Sequence, residues 1–246
     1  MNRADSLNDE WIQLAPAWIR EAREGHNASR KGLLDQPMLD ACGNVSDLKI
    51  LDCGCGEGRF CRILAEQGAE FVLGVDLCEP MIAAARELQG KKDTYEIGDV
   101  QDLSFLENAR FDLAVSYLNQ CDLLDFQSNT HEVFRLLKPG GRFIIANVHP
   151  MRSAAGVWCT AEDGTKQHVI LDRYFDESAR QWQMKGVDIT NFHRTLSTYT
   201  QAYRESGFAI ESIIEPMPEE KILELYPELD DERRVPNFII FVLKKT

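Results

Sequence analysis

The sequence predicts an α/β fold: a mostly parallel, doubly wound sheet of seven strands in one domain. From about residue 48, short apolar runs alternate with helical patterns, the signature of βαβ units. The first run feeds a glycine-rich turn that opens a helix. Carboxylates stand at or just after the ends of the first three runs: Asp52, Asp76 and Asp99.

The elements follow in order. Lys49 to Asp52 reads as the first strand, followed by Cys53-Gly54-Cys55-Gly56-Glu57-Gly58. A helix comes next, with Phe60, Ile63 and Leu64 on one face and Gly68 as its stop. Phe71 to Asp76 is the second strand. Pro80 then sits where a first helical turn tolerates proline. Met81, Ala84, Ala85 and Leu88 recur at helical spacing as a buried face. Thr94 to Ile97 is the third strand and Phe111 to Ser116 the fourth. Asn129 to Leu137 is helical and ends at Lys138-Pro139-Gly140-Gly141, where proline cannot continue a helix. Arg142 to Val148 is the fifth strand. A helix beginning near Thr195 and running to Ser206 leads through Gly207 to a strand at Phe208 to Ile214, and Asn237 to Leu243 is the last.

Two regions fall outside this alternation. Residues 1–46 read as helices, with Trp11, Ile12, Leu14, Trp18 and Ile19 as an apolar stripe. Residues 149–194 form a long insertion rich in aromatics: Trp158, Tyr174, Phe175, Trp182 and Phe192. Segments at the carboxyl ends of such strands often carry binding function, so these two either close over a substrate or complete the core.

Composition narrows the function. The net charge of −13 repels nucleic acid, and the basic clusters are isolated pairs: Lys91-Lys92, Arg233-Arg234 and Lys244-Lys245. No apolar run approaches the ~18 residues of a membrane span. Met1 to Glu10 lacks the basic-then-apolar pattern of a secretory leader, so the expected compartment is cytoplasmic. Seven cysteines without metal-type spacing suit reduced, buried thiols, and no metal centre is expected. Oligomeric state is not legible.

The glycine turn carries the chemistry. Gly54 and Gly56 let backbone approach a ligand closely. A dinucleotide fingerprint requires a third glycine where Arg59 stands, and Gly58 comes one residue early. Asp52 and Glu57 would oppose a pyrophosphate and suit a ligand bearing an ammonium and a sulfonium. Asp76 is placed to accept both ribose hydroxyls, and Asp99 an adenine amino group.

Here the sequence resembles the class I S-adenosylmethionine-dependent methyltransferases. The resemblance rests on Ile50-Leu51-Asp52-Cys53-Gly54-Cys55-Gly56-Glu57-Gly58, Gly74-Val75-Asp76, Gly98-Asp99-Val100, Phe111-Asp112-Leu113-Ala114-Val115-Ser116 and Leu137-Lys138-Pro139-Gly140-Gly141, in family order across residues 48–148. It implies a Rossmann-like fold with an antiparallel edge hairpin formed by the last two strands. It divides the single domain, 1–246, into an N-terminal helical lid (1–46), a cofactor-binding half (48–148) and a substrate-side insertion (149–194). It implies S-adenosyl-L-methionine as cofactor and a small-molecule substrate. Backbone around Asp52, Cys53, Gly54 and Gly56 is expected to hold the methionine moiety. Asp76 is assigned to the ribose, Leu77 and Met81 to the adenine face, Asp99 to N6, Val100 to the ring edge, and the Ser116 backbone to the methionine end. Arg30 is the candidate for the cofactor carboxylate, against the alternative of a surface helix cap.

The expected reaction is in-line methyl transfer to an oxygen or nitrogen acceptor, with the aromatic-rich insertion suiting an aromatic metabolite. A base, where one is needed, is expected from His149 or His193 among the five histidines; each suits a structural hydrogen bond equally. Tyr117, Asn119 and Trp158 are candidate pocket walls. Two alternatives stand beside this reading: a non-catalytic S-adenosylmethionine-binding protein, and an NAD(P)-dependent oxidoreductase.

Overall fold

A computed structural model describes residues 3–25 and 27–246. The strands are β1 (Lys49–Cys53), β2 (Phe71–Asp76), β3 (Asp93–Ile97), β4 (Phe111–Tyr117), β5 (Leu137–Val148), β6 (Ala155–Thr160), β7 (Lys166–Leu171), β8 (Ala179–Met184), β9 (Val187–Phe192), β10 (Phe208–Ile214) and β11 (Phe238–Lys245). The helices are α1 (Arg3–Glu24), α2 (Asp35–Cys42), α3 (Arg59–Glu66), α4 (Glu79–Glu87), α5 (Phe126–Leu136), α6 (Pro150–Ala154), α7 (Leu196–Glu205) and α8 (Glu220–Leu225). A π-helical turn, Ser29–Leu34, precedes α2. Of the N-terminal helical segment expected at 1–46, Met1, Asn2 and His26 lie outside the described residues.

One seven-stranded sheet runs in the order β10-β11-β5-β4-β1-β2-β3. β11 is antiparallel to both β5 and β10, and the remaining pairs are parallel. This is the expected doubly wound sheet with an antiparallel edge hairpin. The order reverses between β1 and β4, and a crevice opens at the carboxyl ends of strands around such a switch point.

Side-chain alternation along the strands builds a core on each face. Ile50, Val72, Leu113, Ile144 and Ile240 pack on one side with residues of α2, α3 and α4. Leu51, Leu73, Ala114, Phe143 and Phe241 pack on the other with α5 and α7. Neighbouring residues of each strand thus bury opposite faces, so most of these strands are apolar throughout.

Two segments differ from expectation. Pro139-Gly140, read as a turn before the fifth strand, is a bulge inside β5: Leu137 pairs with Phe111, and pairing resumes at Arg142 with Leu113. Gly140 takes φ +78°, which the bulge requires and a side chain would resist. The insertion, to which no elements were assigned from the sequence, forms two separate hairpins, β6-β7 and β8-β9. The second turns tightly at Lys185-Gly186, both with positive φ, the twist that two-residue hairpins favour.

Helix α1 is held at both ends across the crevice. Thr190 of β9 donates its backbone N–H and its hydroxyl to the Glu10 carboxylate at 2.8 and 2.9 Å. Arg23 donates to the Ala84 carbonyl and to Glu87 of α4. Among the described residues, no helix is long and apolar enough to cross a membrane.

Candidate active site

The crevice holds a cavity lined by the glycine turn, the ends of β2 and β4, and one face of α1. Gly54, Gly56 and Gly58 all have positive φ. Gly58 starts α3 in the left-handed conformation, and a Cβ there would stand 2.6 Å from the Tyr95 ring. The turn is pinned from beneath by Asp76, whose two oxygens accept from Gly56 N–H at 2.8 Å and Cys78 N–H at 2.9 Å. Burial nevertheless raises the Asp76 pKa above the usual carboxylate range.

Asp52 is 1% exposed and lines the cavity. Its Oδ2 accepts from the Cys61 thiol at 3.1 Å, while its buried Oδ1 has no partner. Burial pushes its pKa up to about 7. Arg30 lines the same cavity, sandwiched 4.9 Å from the Trp18 ring centre and 5.0 Å from that of Tyr117. Its buried Nε has no partner either, and burial lowers its pKa. Arg30 is therefore a half-buried cation lining the crevice and not a surface cap. An orphaned carboxylate oxygen and an orphaned guanidinium nitrogen in one cavity suit a zwitterionic amino-acid group.

Among the other expected residues, Gly54, Gly56, Asp76, Leu77, Met81, Asp99 and Val100 all line this cavity. Asp99 is braced by Gln101, whose backbone and side-chain N–H groups donate to it. Cys53 and Ser116 do not line it; both are fully buried inside the strands. Their strands run one residue further than expected, so the crevice wall is supplied by the residues that follow: Cys55, and Leu118 with Asn119. Glu57 lines the cavity; its Oε2 is paired with Arg62 at 2.7 Å, while its buried Oε1 has no partner. Arg59, at the missing glycine position, forms a bidentate pair with Asp35 at 2.7 Å for each bond, and Tyr117 donates to the same carboxylate.

Both catalytic histidine expectations are corrected. His149 caps α6 by accepting from Met151 N–H at 3.0 Å through Nδ1, and its Nε2 lies 3.0 Å from Glu215. His193 is 1% exposed, with Nδ1 at 2.6 Å from the Ser153 hydroxyl and Nε2 at 2.8 Å from the Tyr174 carbonyl. Neither lines the cavity. The His193 nitrogens brace the insertion internally and those of His149 cap α6 and meet Glu215, so all four ring nitrogens are already engaged. Trp158 lies apart from the crevice, beside Arg234.

The titratable group that sequence reading missed is Asp122. It follows β4 and lines both the cavity and a second chamber of about 390 Å³ beside it. Asn191 of β9 and the Cys121 thiol donate to its Oδ1. Burial pushes its pKa up to about 8. Trp11, Trp18, Arg30 and Leu118 also line both spaces, so the two are continuous. Only the apolar stripe of α1 hinted at this wall in the sequence. Among the described residues, no group of three or more His, Cys, Asp or Glu side chains is placed to hold a metal.

Comparison with known proteins points the same way. A family model described as a methyltransferase domain matches residues 51–145. An S-adenosylmethionine dependent methyltransferase from Mesorhizobium loti is similar over 89% of this chain and 98% of its own, with 35% identity and a TM-score of 0.78. A protein of Listeria monocytogenes, provisionally described as such a methyltransferase, is also 35% identical, over 86% of this chain and 94% of its own, with a TM-score of 0.76. Among curated proteins, a ubiquinone biosynthesis O-methyltransferase from Maricaulis maris is 34% identical over 50% of this chain. The match spans about half of that relative's length, 51%.

Proposed function

We propose that this chain, which belongs to the S-adenosylmethionine-dependent methyltransferase family, transfers a methyl group to a small molecule held in the chamber beside Asp122. The observation that carries this reading is the orphaned pair in one cavity, Asp52 Oδ1 and Arg30 Nε. Asp52 would hold the cofactor's ammonium and Arg30 its carboxylate, with Gly54 and Gly56 allowing close backbone approach. Asp76 would accept from the ribose, while Asp99, Val100, Leu77 and Met81 would enclose the adenine. Asp52 and Asp76 would remain ionised opposite such donors despite their burial.

When bound, the cofactor supplies an electrophilic methyl on a sulfonium. The protein's part is alignment and exclusion of water, which Trp11 and Trp18 of α1 perform by walling both spaces. With the cofactor held there, an acceptor in the chamber beside Asp122 would have its lone pair directed at the methyl carbon, sulfur keeping the electron pair of the bond that is displaced. An acceptor that carries a proton passes it to the Asp122 carboxylate, whose ionised fraction grows as pH rises through about 8. An acidic chain of net charge −13 and a chamber of about 390 Å³ lined by tryptophans favour a small metabolite over nucleic acid.

Calorimetric titration with S-adenosylmethionine, S-adenosylhomocysteine and NADH tests the cofactor. Micromolar binding of the two adenosyl compounds, about −8 kcal/mol, is expected, with NADH silent and Asp76→Ala impaired. Formation of S-adenosylhomocysteine from S-adenosylmethionine with a protein or RNA as methyl acceptor, a broad metabolite panel being inert, would overturn the small-molecule assignment.

A further inference from the structure

The second chamber has a chemical polarity that points to the class of acceptor. Three tryptophans line it: Trp11 and Trp18, in edge-to-face contact at 5.7 Å, and Trp182. Away from the junction with the cofactor cavity lies Arg152, its guanidinium 4.7 Å from the centre of the Trp182 ring. Lys185, another cation of the chamber, is ion-paired with Glu21. Arg152, in contrast, donates no hydrogen bond to any described residue. Glu232 is the acidic group that faces it electrostatically. That carboxyl is engaged by Asn237, and burial pushes its pKa up to about 7, which makes it a weak counter-charge at neutral pH. The Trp182 indole nitrogen is also buried and without a partner.

Two donors on the same wall thus lack a protein partner: the buried Trp182 N–H and the half-buried Arg152 guanidinium. Burying the indole donor without a partner is costly, and such a group normally awaits a ligand or water. A guanidinium presents a planar fork that matches a carboxylate, and stacking on an indole holds that fork in place. Asp122 marks the junction, where the chamber opens to the cofactor cavity that Arg152 does not reach.

We propose that the methyl acceptor is a compact aromatic acid, its carboxylate held by the Arg152 guanidinium and the Trp182 indole N–H and its methyl-accepting group directed to Asp122. This rests on the methyltransferase reading above. Its ring lies among the three tryptophans, and a neutral isostere forfeits the charge-assisted bonds.

The test uses the full chain saturated with S-adenosylhomocysteine. It is titrated by calorimetry with hydroxybenzoates, aminobenzoates and indole-3-acetate, each paired with its amide. At least one acid is expected to bind about tenfold tighter than its amide. Arg152→Gln abolishes that preference while S-adenosylhomocysteine affinity, measured on the same variant, is unchanged. Trp182→Phe, which keeps a ring and removes the N–H, reduces the preference about threefold. If S-adenosylhomocysteine binds but no acid outcompetes its amide, or the preference survives Arg152→Gln, the acceptor class is wrong and the cofactor assignment stands. If S-adenosylhomocysteine itself does not bind, the underlying reading fails and this one falls with it.

Discussion

Gly54 lies directly against Asn119: a Cβ on Gly54 would stand 2.5 Å from the Asn119 Cβ and closer still to its amide. The turn after β1 and the turn after β4 are therefore fitted to each other across the switch point of the sheet. Gly54→Ala is expected to weaken S-adenosylhomocysteine binding by tenfold or more. Asn119→Ala in the same chain should recover part of the loss by removing the clash. It cannot recover all, because φ +74° at position 54 still costs a side chain about 1 kcal/mol. Additive losses in the double variant would refute the steric coupling.

The Arg59–Asp35 pair ties α3 to α2 and is largely buried. Asp35→Asn should lower stability by about 2 kcal/mol, the scale of a charged hydrogen bond. Tyr117→Phe, which removes a single donor to Asp35, should cost about 1 kcal/mol. Urea unfolding reads both, with the denaturant slope unchanged.

His149 and His193 act as structural ties. His149→Asn and His193→Gln should each lower the melting temperature by several degrees and leave the pH dependence of kcat in place. A general base contributes about 10²–10⁴-fold, so a loss of that size in either variant at preserved fold would restore a catalytic role.

Asp52, Glu232 and Asp122 all have pKa values raised by burial, to about 7, 7 and 8. The unfolded chain binds these protons with pKa near ~4. The stability they contribute when protonated is complete below that value. It is lost as pH rises through about 7 and 8. The ligand-free protein should therefore melt at lower temperature at pH 8.5 than at pH 6. Asp122→Asn should flatten the upper part of that decline and, by the proposed role, depress kcat at pH 8.5. A melting temperature independent of pH over this range would contradict the burial of these groups.

Glu10 latches α1 to β9 through two hydrogen bonds to Thr190. Glu10→Ala should free the wall that Trp11 and Trp18 provide, raising KM for cofactor and acceptor about tenfold. Faster amide exchange throughout α1 is the accompanying signature. Unchanged exchange would mean that the Arg23 contacts to α4 suffice to hold the helix.

Periodicity located each strand of the main sheet to within a few residues, because strands buried on both faces are continuous apolar runs broken by polar turns. The bulge in β5 escaped it: proline and glycine mark a turn and a bulge alike. Asp76 and Asp99 were legible because motif order placed them at or just after strand ends, whereas Arg30, in the helical turn Ser29–Leu34, was reached only through the family resemblance. Cys53 and Ser116 were not resolved correctly, since a one-residue shift in where a strand ends decides whether a position faces core or crevice.

By itself, the sequence determined the sheet, its glycine turn and the carboxylates around the cofactor cavity, all of which follow from local order along residues 48–148. Tertiary structure alone decided the second chamber. Asp122, Arg152, Trp182 and Asn191 come from segments with no shared period, and they meet only because α1 and the β8-β9 hairpin fold over the same end of the sheet. Likewise, packing consumed the nitrogens of His149 and His193 and drove the Asp122 carboxyl upward in pKa, because desolvation depends on what surrounds a side chain and not on its neighbours along the chain.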